Sequence, residues 1–287
     1  MTNVTNTMRV RPLTGYLGAE ITGIDLAKLS AFEVKAVRKA FLEHQVVFFK
    51  HQKLGADDFA ALAEKFGEID PPHSGLLPHP DNAKVMMTVS RKGEGGAKYN
   101  DIWHSDVSFD ETPPLGSLLH PMTLPPVGGD TVWASMYAAY EKLSDRIKTL
   151  IEGLEVLHDG IPTFTRFLLD PAIPNGAERL RKMKVEKPGC VHPLVIRHPE
   201  TGRRALFISR AYAACIVGLP ELESRHLINM LCEHCEQANF QVRWRWSEGD
   251  VAFWDNRCTI HYATKDYGLE TREIMRVTLK GTRPMAA

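Results

Sequence analysis

No stretch of the 287-residue chain approaches the roughly eighteen uncharged apolar residues that a membrane-spanning helix needs, so no membrane span is expected. The opening MTNVTNTMRVRPL has no apolar segment of the kind a secretion signal carries, and none is expected there. Charge of one sign is not in excess, because Lys plus Arg and Asp plus Glu number 35 each. That balance removes the electrostatic reason to expect nucleic acid or an anionic membrane as partner, and leaves open a local basic pocket for a small anion. Cysteine is sparse, with five residues, an odd number without a regular framework. A reducing compartment follows, and the cytoplasm is the expected location. Cys232 and Cys235 bracket His234 as a CxxC inside the helical-looking run 220–239, yet no second pair follows at zinc-site spacing. They read as partly buried thiols on a helix. Internal repeats, low-complexity tracts and linker-like segments are all missing, so residues 1–287 read as one domain.

What the chain does contain is ordinary globular material, 44% hydrophobic and 24% charged. Residues 30–44 carry Phe32, Val34, Val37, Ala40 and Phe41 at helical spacing, with Ser30 as N-cap. Residues 45–50 (QVVFFK) form a compact apolar strand, and 57–66 repeat the helical pattern before Gly67. A strand over 85–91 leads into RKGEGGAKYN, a loop by composition. Further strands are predicted over 116–121, 130–134, 191–198, 205–209, 241–246, 251–255 and 274–281, with helices over 135–141, 144–152 and 222–239. Many short strands with a few inserted helices predict a mixed α/β chain built on a double-stranded β-helix, or jelly-roll, core of mostly antiparallel strands.

The informative segment is WHSDVSF at 103–109. His104 and Asp106 lie two apart, so in an extended strand both side chains face one way. They offer an imidazole nitrogen and a carboxylate oxygen to one ion, and His261 in WDNRCTIHYA is the candidate third ligand. Two His and one carboxylate on one face of an octahedral ion leave positions open for a chelating cosubstrate and for O2. Alone, HxD is a weak signal, because a chain with 12 His and 35 acidic residues produces such pairs by chance. Arg272 and Arg276 strengthen it. They follow His261 by eleven and fifteen residues in a strand-like run, four apart and therefore on one face. A guanidinium turned into a barrel needs an anion, and its fork suits a carboxylate or sulfonate. Two such arginines call for two anions: a cosubstrate carboxylate and an acidic group on the substrate.

With these residues in place the sequence resembles the taurine dioxygenase family of Fe(II)/2-oxoglutarate enzymes, which includes alkylsulfatases and aryloxyalkanoate dioxygenases. The resemblance spans nearly the whole chain, through GAEITGIDL, FGE, WHSDVSF, GGDTVW, HPLVIRHPETGRRALFI and WDNRCTIHYATKDY. It implies His104, Asp106 and His261 as iron ligands, with Thr131 and Arg272 holding the distal carboxylate of 2-oxoglutarate. It implies Arg276 at the anionic head group of the substrate, with Asn100, His73, Phe164 and Tyr212 completing the pocket. Tyr212 stands where the family usually has Phe. A His and a Tyr that follow FGE in the taurine enzymes are not both present: His73 aligns only after a one-residue shift and no Tyr follows. Gly75, Leu76 and Leu77 make that edge more apolar, which suits an alkyl sulfate, a longer sulfonate or an aryl-bearing acid as well as taurine.

The resemblance therefore implies an oxidoreductase of sulfur metabolism, of the taurine-catabolism kind, that hydroxylates a small anionic organic substrate with O2 and 2-oxoglutarate and releases succinate and CO2. Hydroxylation next to the heteroatom gives an unstable product, which fragments to sulfite or sulfate and an aldehyde. An aryloxyalkanoate dioxygenase is the alternative within the family. A non-catalytic metabolite-binding barrel and a zinc-dependent hydrolase are rivals from other classes, each separable by whether O2 and 2-oxoglutarate are consumed. A homodimer or homotetramer, common in the family, is compatible with the chain.

Overall fold

The computed structural model describes residues 8–72, 77–90, 101–171 and 173–287. Its centre is a double-stranded β-helix of two facing sheets, flanked by helices, as the strand pattern predicts. The larger sheet has eight strands. Its main path runs Arg9–Pro12, Ala19–Thr22, Val46–Phe49, Val251–Asp255, Gly116–Thr123, Arg272–Leu279 and Ile69–Asp70, and Met86–Ser90 also pairs with Arg272–Leu279. Its neighbours are antiparallel except Ala19–Thr22 and Val46–Phe49, which run parallel. The smaller sheet places Thr131–Ser135 between Gln241–Trp244 and Thr259–Ala263, both antiparallel to it.

The central strands of the larger sheet are apolar on both faces, and their period-two alternation sorts side chains into two cores. Val47, Phe49, Val251, Phe253, Met275 and Val277 point outward, beneath the helices Ala31–His44 and Ala56–Glu64. Val46, Phe48, Ala252, Trp254 and Ile274 point inward and meet Trp133, Val242 and Trp244 of the smaller sheet. Phe48 stacks on Trp244 at 4.2 Å, and Trp133 meets Trp254 edge-on at 5.7 Å, so the two sheets are joined through aromatic rings. Each such fully buried large apolar side chain contributes about 1.5–3 kcal/mol relative to exposure. Among the described residues no helix is long and apolar enough to cross a membrane.

The first helix begins where the sequence predicts. Ser30 accepts from the Glu33 amide while Glu33 returns a bond to Ser30 N, a capping box, and Gln45 at φ 65° ends the helix in the left-handed region. The strand predicted over 191–198 is instead two strands. Cys190–Pro193 pairs with Glu155–His158, and Val195–Arg197 pairs with Arg204–Leu206, so the chain changes partner at Leu194. The helices Ile161–Leu168 and Gly176–Glu186 were not predicted. Neither has a side-chain N-cap, and Gly160 and Asn175 occupy the cap positions.

Candidate metal centre

His104, Asp106 and His261 converge between the two sheets. Each is buried, at 6%, 2% and 5% relative exposure. The segment carrying the first two is not an extended strand, contrary to the sequence expectation. His104 makes a single antiparallel bridge, giving its amide to His261 O at 3.0 Å and taking that of His261 at 2.7 Å. The chain then turns: Val107 sits at φ 47°, a costly conformation for a β-branched residue that reverses the backbone just past Asp106. His261 lies in the regular strand Thr259–Ala263, opposite Trp133. The bridge holds the two imidazoles together, with ring centroids 4.1 Å apart.

Asp106 Oδ1 is 3.7 Å from His104 Nε2 and 3.6 Å from His261 Nε2. Those gaps are too long for hydrogen bonds, and two donors each about 2.1 Å from one ion stand about 3–4 Å apart. The protonation states fit a metal as well. His104 Nδ1 donates to Ile102 O at 2.8 Å, which leaves the Nε2 lone pair facing the carboxylate. Burial lowers the pKa of both histidines, so both are neutral, as ligands must be. Burial by itself would raise the Asp106 carboxyl, but the Arg276 charge, the two imidazoles at acid pH where they are protonated, and the Ser117 hydroxyl hold it down at about 2. Two neutral imidazoles and one carboxylate on one face make the donor set of a facial triad, consistent with Fe(II) and 2-oxoglutarate chemistry.

A cavity beside the triad is lined by His104, His261, Thr131, Arg272, Arg276 and Trp254, among others. Arg272 and Arg276 share the inward face of Arg272–Leu279 with Ile274, as their spacing predicts. Arg272 is 5% exposed, and its Nη2 donates to Gly129 O at 3.1 Å. Its Nε has no hydrogen-bond partner, and no carboxylate lies within ion-pair distance of it among the described residues. Burial pulls its pKa down, with Tyr267 and Asp130 opposing the shift only in part. Gly129 makes this approach possible: it sits at φ +72°, and a Cβ there would lie 3.1 Å from Arg272 Nε. Thr131 Oγ1 accepts the Trp246 indole proton at 2.9 Å, so its own hydroxyl proton is left to donate into the cavity. Arg276 Nη2 is 2.6 Å from Asp106 Oδ2, an ion pair without hydrogen-bond alignment. Arg276 also borders a second cavity with Val107, Asp70, Lys187 and Thr278, where the Lys187 ammonium is paired with Asp110.

Phe164 and Tyr212 pack together around Phe109, and Tyr212 approaches His104 edge-on at 6.1 Å. His73 and Asn100 lie outside the described residues. Sequence reasoning assigned no role to Ser117, Asn256, Trp246 or Val107. The WDN triplet at 254–256 carried the signal for Asn256, a polar side chain set between a strand and a ligand-bearing strand.

Other clusters among the described residues are closed. His198, Asp255 and Cys258 lie together. However, His198 Nδ1 accepts the Glu200 and Thr201 amides while Nε2 donates to Asp255, and Arg257 pairs with Asp255 at 2.6 Å, so no donor faces a vacant position. Cys232 and Cys235 are buried, and burial pushes both thiols up, Cys232 to about 12, so they are inert. A larger cavity, bordered by Tyr140, Lys148, Glu155 and Arg204, faces none of the unsatisfied buried polar atoms among the described residues.

Two buried histidines brace the turn behind the triad. His158 Nδ1 meets Ser108 Oγ at 2.9 Å, and His192 Nε2 donates to Asp110 O at 2.7 Å. Burial, then the neighbouring His192, lowers the His158 pKa to about 3. The folded value lies below the unfolded one of about 6.5, so the neutral ring is favoured on folding. Its contribution is complete above about pH 6.5 and falls as pH drops towards 3, by about 1.4 kcal/mol per pH unit. Urea unfolding of metal-free protein at pH 7, 6 and 5 is expected to show stability falling with pH, more steeply from 6 to 5 than from 7 to 6, with the other buried histidines adding to the slope and His158→Asn flatter by up to one proton. Identical slopes for the two proteins would contradict the assignment.

Residues 9–278 match the family described as Taurine catabolism dioxygenase TauD, TfdA. The chain is similar to the alkylsulfatase of Acinetobacter baylyi, with 38% identity over 97% of this chain and 87% of the relative. It is similar to an alpha-ketoglutarate-dependent sulfate ester dioxygenase of Pseudomonas putida, with 37% identity over 96% of this chain and 90% of the relative. Among solved structures, a taurine dioxygenase from Burkholderia xenovorans superposes with a TM-score of 0.79 at 35% identity, covering 97% of this chain and 93% of that one.

Proposed function

The chain belongs to the TauD, TfdA family of dioxygenases, and from that premise we propose that it oxidises an alkyl sulfate or closely related sulfonate, as one dioxygenase domain. Its class is that of an Fe(II)- and 2-oxoglutarate-dependent dioxygenase acting on a small anionic organic substrate. In this reading His104, Asp106 and His261 hold Fe(II). The ion supplies the oxidising chemistry, coupling decarboxylation of 2-oxoglutarate by O2 to insertion of one oxygen atom into a substrate C–H bond.

The chain's own residues do the binding and the aiming. Arg272 and Thr131 take the distal carboxylate of 2-oxoglutarate, the guanidinium by charge and the hydroxyl by its remaining proton. Arg276 takes the substrate's anionic head group, and Phe164 and Tyr212 give the apolar wall against which an alkyl chain packs. His73 and Asn100 are proposed to complete the pocket. The inward walls of aromatic rings keep bulk water from the reacting carbon. Hydroxylation of the carbon bearing the ester oxygen gives a product whose C–O bond breaks to an aldehyde and inorganic sulfate.

The observation that carries the reading is the pair of inward arginines beside the triad, one of them buried without a carboxylate partner among the described residues. Two anions are expected in one cavity. The sulfate-ester preference is supported by the two sulfate-ester relatives and by the apolar GLL that follows His73. Succinate and sulfate release with a panel of alkyl sulfates, taurine, longer sulfonates and phenoxy acids tests it. Fastest turnover with alkyl sulfates is expected, and a clear preference for phenoxy acids would move the chain to the aryloxyalkanoate branch. Arg276→Ala is expected to raise the substrate KM by about 100-fold, the usual scale for truncating one partner of a desolvated charge pair. The 2-oxoglutarate KM should change little. Equal changes in both would mean that the arginines' roles are exchanged.

A further inference from the structure

We infer that Ser117 and Asn256 are positioning residues for Asp106, fixing which of its carboxylate oxygens faces the metal. The inference rests on the triad reading above. It concerns two buried residues outside the triad, at 0% and 2% exposure, on the strand Gly116–Thr123 and in the turn after Val251–Asp255.

The direction of every proton in the chain follows from one end. The Trp254 indole can only donate, and its Nε1 lies 2.9 Å from the Asn256 amide, so that atom is Oδ1. The amide nitrogen therefore points the other way, donating to Ser117 Oγ at 3.0 Å. A serine hydroxyl has a single proton. With Asn256 donating to its oxygen, Ser117 donates its own proton to Asp106 Oδ2 at 2.7 Å. The same Asn256 is tied to the ligand segment twice more: its carbonyl accepts from Ser105 Oγ at 2.7 Å, and its Oδ1 accepts weakly from the Asp106 amide at 3.4 Å.

The carboxylate is thereby divided. Oδ2 receives the Ser117 proton and the charge of Arg276, while Oδ1 is left facing both imidazoles. A carboxylate on two rotatable bonds can swing to offer both oxygens to an ion. Here that swing would break the Ser117 bond and leave the Ser117 hydroxyl proton without its acceptor in the interior, at a cost about that of desolvating one such group. The relay therefore holds Asp106 as a one-oxygen ligand and keeps the remaining positions of the ion open. Outer partners of this kind typically set metal affinity by about 10–100-fold.

The test uses the full chain, stripped of metal and titrated anaerobically with Fe(II) at saturating 2-oxoglutarate, following the weak visible absorption of the complex. Ser117→Ala is expected to weaken Fe(II) binding by about 10–100-fold and to shift the band, since Asp106 can rotate. Asn256→Asp keeps side-chain size but replaces the amide donor with an acceptor, which draws the Ser117 proton away from Asp106. The same loss and shift are expected, so the result does not depend on one variant folding. Ser117→Thr, which restores the hydroxyl, should recover the wild-type affinity. Urea unfolding of the metal-free variants separates roles, because a merely structural residue would lower stability without moving the band. Wild-type absorption together with variants of unchanged affinity and unchanged band overturns the inference alone. No band in folded wild-type protein overturns the triad reading and the inference with it.

Discussion

Replacing Asp106 by alanine is expected to abolish Fe(II)-dependent succinate formation while the protein remains folded. Changing a group behind a metal ligand costs about 10–100-fold, so removing a ligand should cost more than about 100-fold. Asp106 is the one anionic donor of the three, and burial has already made both histidines neutral. Without the carboxylate, two neutral imidazoles would face a divalent ion with no compensating charge. Folding should survive for a separate reason. The Asp106 carboxylate adds no apolar packing to the core, Ser117 and Asn256 keep the hydrogen bond between them, and Arg276, 16% exposed, can turn to solvent in the cavity. Circular dichroism and unfolding midpoints check the fold, and succinate assays check the chemistry. Retained succinate formation would remove Asp106 from the metal's ligand set.

Arg272 should produce effects of opposite sign on two measurements. Arg272→Met is expected to raise the 2-oxoglutarate KM by about 10²–10⁴-fold, because a desolvated charge-paired contact is worth about 3–5 kcal/mol when one side is removed. In the metal-free, ligand-free protein the same change should leave stability equal or increased. There Arg272 is a buried cation whose Nε is unpaired among the described residues, and a buried charge without its partner is a cost to folding rather than a gain. Methionine keeps most of the stem's packing without that charge. The stabilisation that 2-oxoglutarate gives the wild-type protein against heat should vanish in the variant, since it arises by binding to the folded state alone. An unchanged requirement for 2-oxoglutarate would contradict the role assigned to this residue.

Much of this was legible in the sequence, and particular residues show why. The pairing of Arg272 with Arg276 needed only the two-residue period of a strand, which the larger sheet imposes along its length. Ser30 as a helix cap needed only its neighbour Glu33. The HxD segment was legible as chemistry but not as conformation. Whether His104 and Asp106 sit in a strand depends on a bridge to His261, more than 150 residues away, and on a left-handed turn at Val107. No local pattern encodes either. The broken strand at Leu194 has the same origin, since its two halves find partners in different sheets. Ser117 was illegible for another reason: a serine in a strand has no pattern of its own, and only the packing of Gly116–Thr123 against Val251–Asp255 brings it between Asn256 and Asp106. The two unpredicted helices, Ile161–Leu168 and Gly176–Glu186, have no hydrogen-bonding side chain at the N-cap, and the one start signal present, Pro162 in the first turn of the former, also reads as a turn.

The central claim is that one ion and one 2-oxoglutarate meet at His104, Asp106 and His261 with Arg272 behind them. Anaerobic addition of Fe(II) and 2-oxoglutarate to the metal-free protein tests it most directly. A weak visible absorption band that requires both components, saturates at one equivalent of each per chain, and shifts when an alkyl sulfate is added is the predicted result. Folded protein that takes up Fe(II) but gives no band with 2-oxoglutarate, or that gives the same band after Asp106→Ala, would contradict the account.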